Sequence, residues 1–287
     1  MTAVSIVGCG YAGLRLARLH VGRGDAVRGF ATRPQSLRDI EAAGATAGAL
    51  DLDREVPPLD AEGRIVYYLA PPAPDGDRDP RLTRLLGALA GAPRRVVYMS
   101  TTGVYGDHDG GWVDESTPPQ PRTPRARRRL AAETTLRDWC GGRGLSWCIL
   151  RVAGIYGPGR LPMERLRRGE PAIMPQEARP TNRIHVADLA RACLAAGLAG
   201  CASGRIYNVT DGNDDSQTAY LQRVARLCGL PPPPLLGREA VRLASSPGAW
   251  SFLSESRRVD NRRMLEELGV ALEYRDLDAG ILASLQG

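Results

Sequence analysis

Three groups of residues in this sequence have the types and spacing to do chemistry. The first is Gly8-x-Gly10-x-x-Gly13 in SIVGCGYAGLRLARLH, where a strand runs through a glycine turn into an amphipathic helix. In that setting Gly8 permits the tight turn, Gly10 lets the backbone approach a pyrophosphate, and Gly13 allows close contact between helix and sheet; Tyr11 and Ala12 complete the turn. The amides at the helix start then face the phosphates, so a dinucleotide is the expected ligand. The second group ends the next strand, AVRGFATRPQS. No acidic residue occurs from Ala26 to Arg38, where a carboxylate would receive the ribose of NAD. Thr32 and Arg33 instead offer a hydroxyl and a guanidinium to a 2′-phosphate, which favours NADP while leaving NAD open. The third group is PRTPRARRRLAAE, residues 121–133, with five arginines in eight positions. Read alone, that run is equally a nucleic-acid arm, a solvated helix face or an active-site wall.

The elements that must position these groups follow from the apolar runs AVSIVG, AVRGFA, RIVYYLA, RRVVYMS, LSWCILR and RIYNVT, with helix-like segments between most of them. Strands alternating with helices predict an α/β fold, a Rossmann-type doubly wound parallel sheet covered on both faces. After a third short strand, ALDLD puts Asp51 and Leu52 where an adenine ring would end, although Asp51 serves equally as a loop cap. The fourth strand ends YYLAPP, which would lay Leu69, Ala70 and Pro71 under the cofactor. The alternation loosens near residue 157. The expected division is a dinucleotide-binding domain over 1–156, completed by 184–212, and a smaller, mainly helical C-terminal substrate lobe from 157–183 and 213–287. Ligands of open α/β sheets bind at the carboxyl ends of the strands, so the site is expected between the two lobes.

Composition narrows the classes of function. With 287 residues and 43% hydrophobic content, the chain can bury a substantial core. The net charge is +6, but 32 acidic residues are mixed through the chain, and no interleaving of aromatic and basic residues supports nucleic-acid binding. The sequence contains no lysine, so its 38 basic residues are all arginine. Cys9, Cys140, Cys148, Cys193, Cys201 and Cys228 are widely spaced, without Cys-x-x-Cys pairs or histidines at metal-ligand spacing, and read as small buried residues in a reducing compartment. No metal site, membrane span or targeting segment is expected, and the cytoplasm is the default location.

The fifth strand runs into STTGVYGDHDGGWVDESTPPQP. STTGVYG, then VDE-x-TPP-x-P, a helix carrying LAAE, LR-x-AGIYGPGR and finally NRIHVADLA resemble, in order and spacing, the extended short-chain dehydrogenase/reductases, the NAD-dependent epimerase/dehydratase superfamily. The resemblance spans nearly the whole chain. It implies a Rossmann-type domain with a substrate lobe, hydride chemistry on a small-molecule substrate, and the family's frequent homodimer. The family's reactive groups are a Ser/Thr four residues before the tyrosine of VYG, here Thr101, and a Tyr-x-x-x-Lys pair. Counted back from Leu130, that pair falls on Arg125 and Arg129.

A guanidinium ionises above about pH 12 and cannot be the acid that a phenol with a lowered pKa provides, so the usual activity does not transfer by name. Arg125 and Arg129 are expected to hold negative charge beside the nicotinamide, while Arg127 and Arg128 point into solvent. Tyr105, Tyr156, His185 or a water remain as proton donors, and Arg160 of GIYGPGR is expected in the interlobe cleft with Tyr156 and His185 as substrate contacts. Gly154 replaces an asparagine used by many sugar-nucleotide enzymes of the family, which weakens that assignment. The expected activity is an NADP-preferring oxidoreductase for a small, anionic metabolite with a non-standard site. The alternative is a non-catalytic dinucleotide-binding protein that senses redox state or regulates a partner.

Overall fold

The computed structural model describes residues 1–286. Its centre is one seven-stranded parallel sheet of β1 (Ala3–Val7), β2 (Ala26–Ala31), β3 (Thr46–Ala49), β4 (Ile65–Tyr68), β5 (Arg95–Thr101), β6 (Trp147–Val152) and β7 (Arg205–Val209). The spatial order is β7-β6-β5-β4-β1-β2-β3. The chain therefore builds outward from β1 to β3, returns to the other side of β1 with β4, and builds outward again. That reversal, between β1 and β4, opens a crevice at the carboxyl ends of the strands.

The strands are apolar throughout because both faces of the sheet are covered; all four residues of β4 are buried. On one face, Leu16 and Ala17 of α1 (Tyr11–Gly22), Ile40 of α2 (Pro34–Ala42) and Leu189 and Cys193 of α5 (Val186–Leu198) share a core with Ile6, Tyr67 and Leu150. On the other, Leu82 and Leu85 of α3 (Pro80–Ala88) and Leu136 of α4 (Pro124–Gly141) pack on Val7, Tyr68 and Ile149.

A separate core of Tyr156, Leu166, Tyr220, Leu221, Val224, Leu277 and Ile281 holds the second lobe. One segment departs from the expected division. Met264 and Leu268, four residues apart on the helix Arg262–Leu268, join the sheet core together with Val270. Spacing of this kind puts two apolar side chains on one face, and here that face covers β7 rather than the lobe. The outer edge of β7 is closed by side chains. The Asn208 amide donates to Glu115 Oε1 at 2.8 Å, Arg263 Nη1 approaches the Ile206 carbonyl at 3.5 Å, and Arg263 and Glu115 lie 3.7 Å apart.

Among the described residues, no group of side chains has metal-ligand geometry and no helix is long and apolar enough to cross a membrane. All six cysteines are free; Cys201, expected to be buried, is exposed.

Candidate functional site

The glycine turn sits at the crevice. Gly8 has φ 84°, and a Cβ there would lie 2.5 Å from the Ala70 amide nitrogen, so the turn and the end of β4 approach as closely as glycine alone allows. A Cβ on Gly13 would meet the Gly8 carbonyl at 2.9 Å and Ile6 at 3.2 Å, the close helix-sheet contact expected of it. Gly10 faces open space with nothing within 4 Å. Nothing thus obstructs a phosphate from reaching the start of α1, and the turn fits a dinucleotide. Thr32 and Arg33 are exposed after β2, at the start of α2. Asp51 accepts the Asp53 amide at 3.0 Å, which makes it a loop cap, and Leu52 is buried in the core beneath it. Leu69 is half-buried, Ala70 buried and Pro71 exposed at the end of β4.

A cleft of about 630 Å³ continues from the ends of β5 and β6 into the second lobe, with Thr101, Arg125, Arg129, Tyr156 and Arg160 in its wall. Thr101 Oγ1 accepts the Gly103 amide at 3.1 Å, which fixes the hydroxyl and leaves its proton free to donate. α4 begins as its sequence suggests: Thr123 caps it by accepting the Ala126 amide at 3.2 Å, and Pro124 is the first residue. One turn then separates Arg125 from Arg129 on the cleft side.

The two arginines differ in freedom. Arg129 Nη1 is held by the Met99 carbonyl at 3.0 Å, the Tyr98 hydroxyl at 3.1 Å and the Ala70 carbonyl at 3.4 Å. Arg125 has one side open to solvent, and its guanidinium lies 4.0 Å from the Phe252 ring centre. Desolvation and the charge of Arg129 pull the Arg125 pKa down, while Glu255 opposes them. Arg160 lies 3.9 Å and Arg15 4.4 Å from the ring centre of Tyr11, whose hydroxyl donates to the Pro158 carbonyl at 2.9 Å. The glycine turn is thereby joined to the cleft wall at two points, Arg129 on Ala70 and Arg160 on Tyr11.

Three expectations are corrected. Arg128 is not solvated: it is buried, with Nη1 donating to the Gly76 carbonyl at 2.7 Å, while Arg127 remains exposed beside Asp77. The loop after β4 folds back over α4 and encloses that side chain. Tyr105 is not a donor in the cleft. It is fully buried, its hydroxyl bonded to Asn208 Oδ1 at 2.7 Å and its ring 4.8 Å from Arg151. Arg151 in turn pairs with buried Glu133 at 2.8 Å, and Glu133 accepts the Ser100 hydroxyl at 2.5 Å; this network braces the end of β5 from behind. His185 lies outside the cleft wall, behind Tyr156, with Nδ1 accepting the Ala187 amide at the start of α5 and its ring 4.0 Å from Tyr274. Burial lowers its pKa to about 4, so the imidazole is neutral at pH 7 and is no ready acid. Tyr156 does line the cleft, but its buried hydroxyl has no partner among the described residues and burial raises its pKa far above the phenol value.

The cleft also contains Tyr220, Phe252, Glu255 and Arg257, which no motif announced, and Arg183, which lies within NRIHVADLA but was not singled out. Arg183 is buried 4.3 Å from the Tyr220 ring and donates to the Thr181 hydroxyl at 2.7 Å and the Asp215 carbonyl at 3.1 Å. These residues arrive from three segments of the second lobe, and only the packing of that lobe brings them together.

The model of the NAD dependent epimerase/dehydratase family matches residues 81–210. Protein YeeZ of Escherichia coli (strain K12) is 30% identical over 288 residues, spanning 96% of this chain and 97% of that protein. A conserved protein of unknown function from Silicibacter pomeroyi DSS superposes with a TM-score of 0.80 at 32% identity, over 100% of this chain and 99% of its own. The chain belongs to the NAD-dependent epimerase/dehydratase family, the extended short-chain dehydrogenase/reductases. The fold is also that of MoeE5, solved with UDP-glucose and NAD, at a TM-score of 0.77 and 23% identity over 99% of this chain and 97% of that one.

Proposed function

We propose that the chain is an NADP-preferring oxidoreductase that holds a small anionic metabolite in the arginine-walled cleft. The observation that carries the proposal is that the glycine turn, open at Gly10, is tied by Arg160 on Tyr11 and Arg129 on Ala70 to the wall of a cleft that also presents Thr101 and Arg125. The backbone of Gly10, Tyr11, Ala12 and Gly13 would receive the pyrophosphate, Thr32 and Arg33 the 2′-phosphate, Asp51 and Leu52 the adenine, and Leu69 to Pro71 the remaining dinucleotide. When bound, the nicotinamide supplies or accepts hydride. Arg125, with no hydrogen-bond acceptor among the described residues, attracts the negative charge of the substrate, and Thr101 donates its hydroxyl proton to the reacting oxygen. Arg129 is committed to three protein acceptors and keeps the strand end and the Ala70 segment in register. The roles of these side chains, and the family's use of NAD, support an enzymatic reading over a purely regulatory one.

The test is a titration of NADPH and NADH against wild type and Arg33→Ala. A charge-assisted contact at Arg33 gives a preference of about tenfold to hundredfold for NADPH, which the substitution removes. Equal wild-type affinities for the two cofactors would refute the NADP preference, and binding of neither would refute the reading as a whole.

A further inference from the structure

With guanidinium groups where the family has its phenol and amine, the cleft needs another group to move a proton. Glu255 is a carboxyl in the cleft wall whose side chain is only 7% exposed. It follows the short helix Pro247–Leu253, which also delivers Phe252 against Arg125. Glu255 Oε2 accepts from Arg257 Nη1 at 3.1 Å, and Arg257 is fixed in turn by the Gly106 carbonyl. Oε1 is buried and has no hydrogen-bond partner among the described residues. A buried carboxylate oxygen left without a partner costs free energy, and such a group calls for an explanation: a proton, a ligand or a catalytic task. Glu255, with Pro180, Thr181 and Gln217, lines both the cleft and a small cavity of about 20 Å³.

Resting on the oxidoreductase reading above, we propose that Glu255 is the proton-transfer group of this site. In the oxidising direction the O–H bond of a substrate alcohol breaks, its proton bonds to Glu255 Oε1 and its electron pair becomes the second C–O bond as the carbinol C–H pair leaves as hydride to the nicotinamide of NADP, so that the alcohol is oxidised to a carbonyl and the cofactor is reduced. The charge developing on the substrate oxygen lies beside Arg125 and receives the Thr101 hydroxyl as donor. In the reducing direction the same proton returns from Oε1 to the substrate oxygen. Arg257 holds the other carboxyl oxygen and so orients the group in both directions. Charged groups reach this carboxyl from several elements: Arg257 on its own segment holds Oε2, Arg125 of α4 feels its charge, and Arg165, Arg179 and Arg238 line the small cavity with it.

The experiment compares wild type, Glu255→Gln and Glu255→Asp, each loaded with NADP, against a panel of small hydroxy acids and phosphorylated alcohols between pH 6 and 10. Melting temperature and NADPH affinity are measured on the same preparations. The expected result is turnover of at least one panel member by wild type, a fall in kcat of at least about a hundredfold in Glu255→Gln with KM within threefold, and partial recovery in Glu255→Asp. The melting temperature and NADPH affinity of the glutamine variant should be no lower than wild type. Unchanged kcat in Glu255→Gln overturns the proposal. So does a glutamine variant that melts lower and loses NADPH binding, because the carboxylate is then a structural counter-ion. Wild type that binds NADP but turns over no panel member also removes the proton-transfer role, whereas wild type that binds no dinucleotide defeats the functional reading itself.

Discussion

Arg127, Arg128 and Arg129 are consecutive, chemically identical and differently employed. Arg127 is exposed beside Asp77, Arg128 is buried against the Gly76 carbonyl, and Arg129 serves three acceptors at the strand ends. In urea denaturation, Arg127→Ala is expected to change stability by less than about 0.5 kcal/mol, as exposed pairs do. Arg129→Ala leaves buried acceptors unsatisfied, and Arg128→Ala removes the packing of a buried side chain; each should cost about 1 to 3 kcal/mol. The register of Arg125 and Arg129 was legible in the sequence, since helical spacing and the Thr123-Pro124 start fix it. The burial of Arg128 was not, because it depends on a loop fifty residues away. At this scale two buried groups also have opposite pH dependences. His185, with a pKa lowered to about 4, leaves the unfolded chain binding more protons between that value and 6.5, so its contribution to stability is lost as pH falls through this window. Asp211, raised by desolvation to about 7, is neutral where the unfolded carboxyl is charged, so its contribution is lost as pH rises from 3.8 toward 7. Relative to wild type, Asp211→Asn should therefore gain stability as pH rises from 4 to 7. His185→Asn, which keeps an acceptor for the Ala187 amide, should lose it over the lower part of the same range, by about 3 kcal/mol at most. Denaturation curves at pH 4, 5.5 and 7 measure both; parallel slopes for all three proteins would contradict the assignment.

The turn from β1 to α1 is the element on which the cofactor reading depends. Gly8 combines a left-handed backbone with a carbon-free approach to Ala70, so Gly8→Ala is strained in both respects. The expected cost is about 2 kcal/mol or more, with NADPH binding reduced in whatever fraction remains folded. Calorimetric melting beside a fluorescence titration reads both, and a variant that melts like wild type would mean that the two segments do not approach this closely. Glycine spacing and the strand-turn-helix pattern made this element legible. The helix Arg262–Leu268 was harder to assign: its Met264 and Leu268 fit either lobe, and only the uncovered flank of β7 decides between them. Tyr105 and His185 were misread for a related reason. Sequence places a polar side chain in a loop next to the site, but not the carbonyls and amides that claim it once the chain has folded.

At the scale of the whole molecule, the sheet is assembled from distant stretches of chain. β6 pairs with β5 on one side and with β7 on the other, and β7 starts more than fifty residues after β6 ends. A fragment of residues 1–156 lacks β7, α5 and the helix Arg262–Leu268, and so bares one edge of the sheet and much of one face. It should show no cooperative unfolding transition and should bind a hydrophobic dye; a sharp transition from the isolated fragment would contradict this. The alternation of strands and helices made the Rossmann-type sheet legible before any coordinates. On the lobe side of the cleft only Tyr156 and Arg160 of GIYGPGR were legible, because Phe252, Glu255 and Arg257 come from a segment with no motif to betray them.

The closure of β7 has a consequence for how copies of this chain behave toward one another. An outermost strand normally offers its free amides and carbonyls as a template on which a second chain can continue the sheet. Here a carboxylate takes the Asn208 amide, a guanidinium approaches the Ile206 carbonyl, and the two caps lie close to each other. The stopper is itself charged and nearly buried at Glu115, so a strand arriving at this edge would have to displace an ion pair before making its first hydrogen bond. Any association between copies through this flank must therefore use side chains and helices, and growth of the sheet from one molecule into the next is blocked at its last rung.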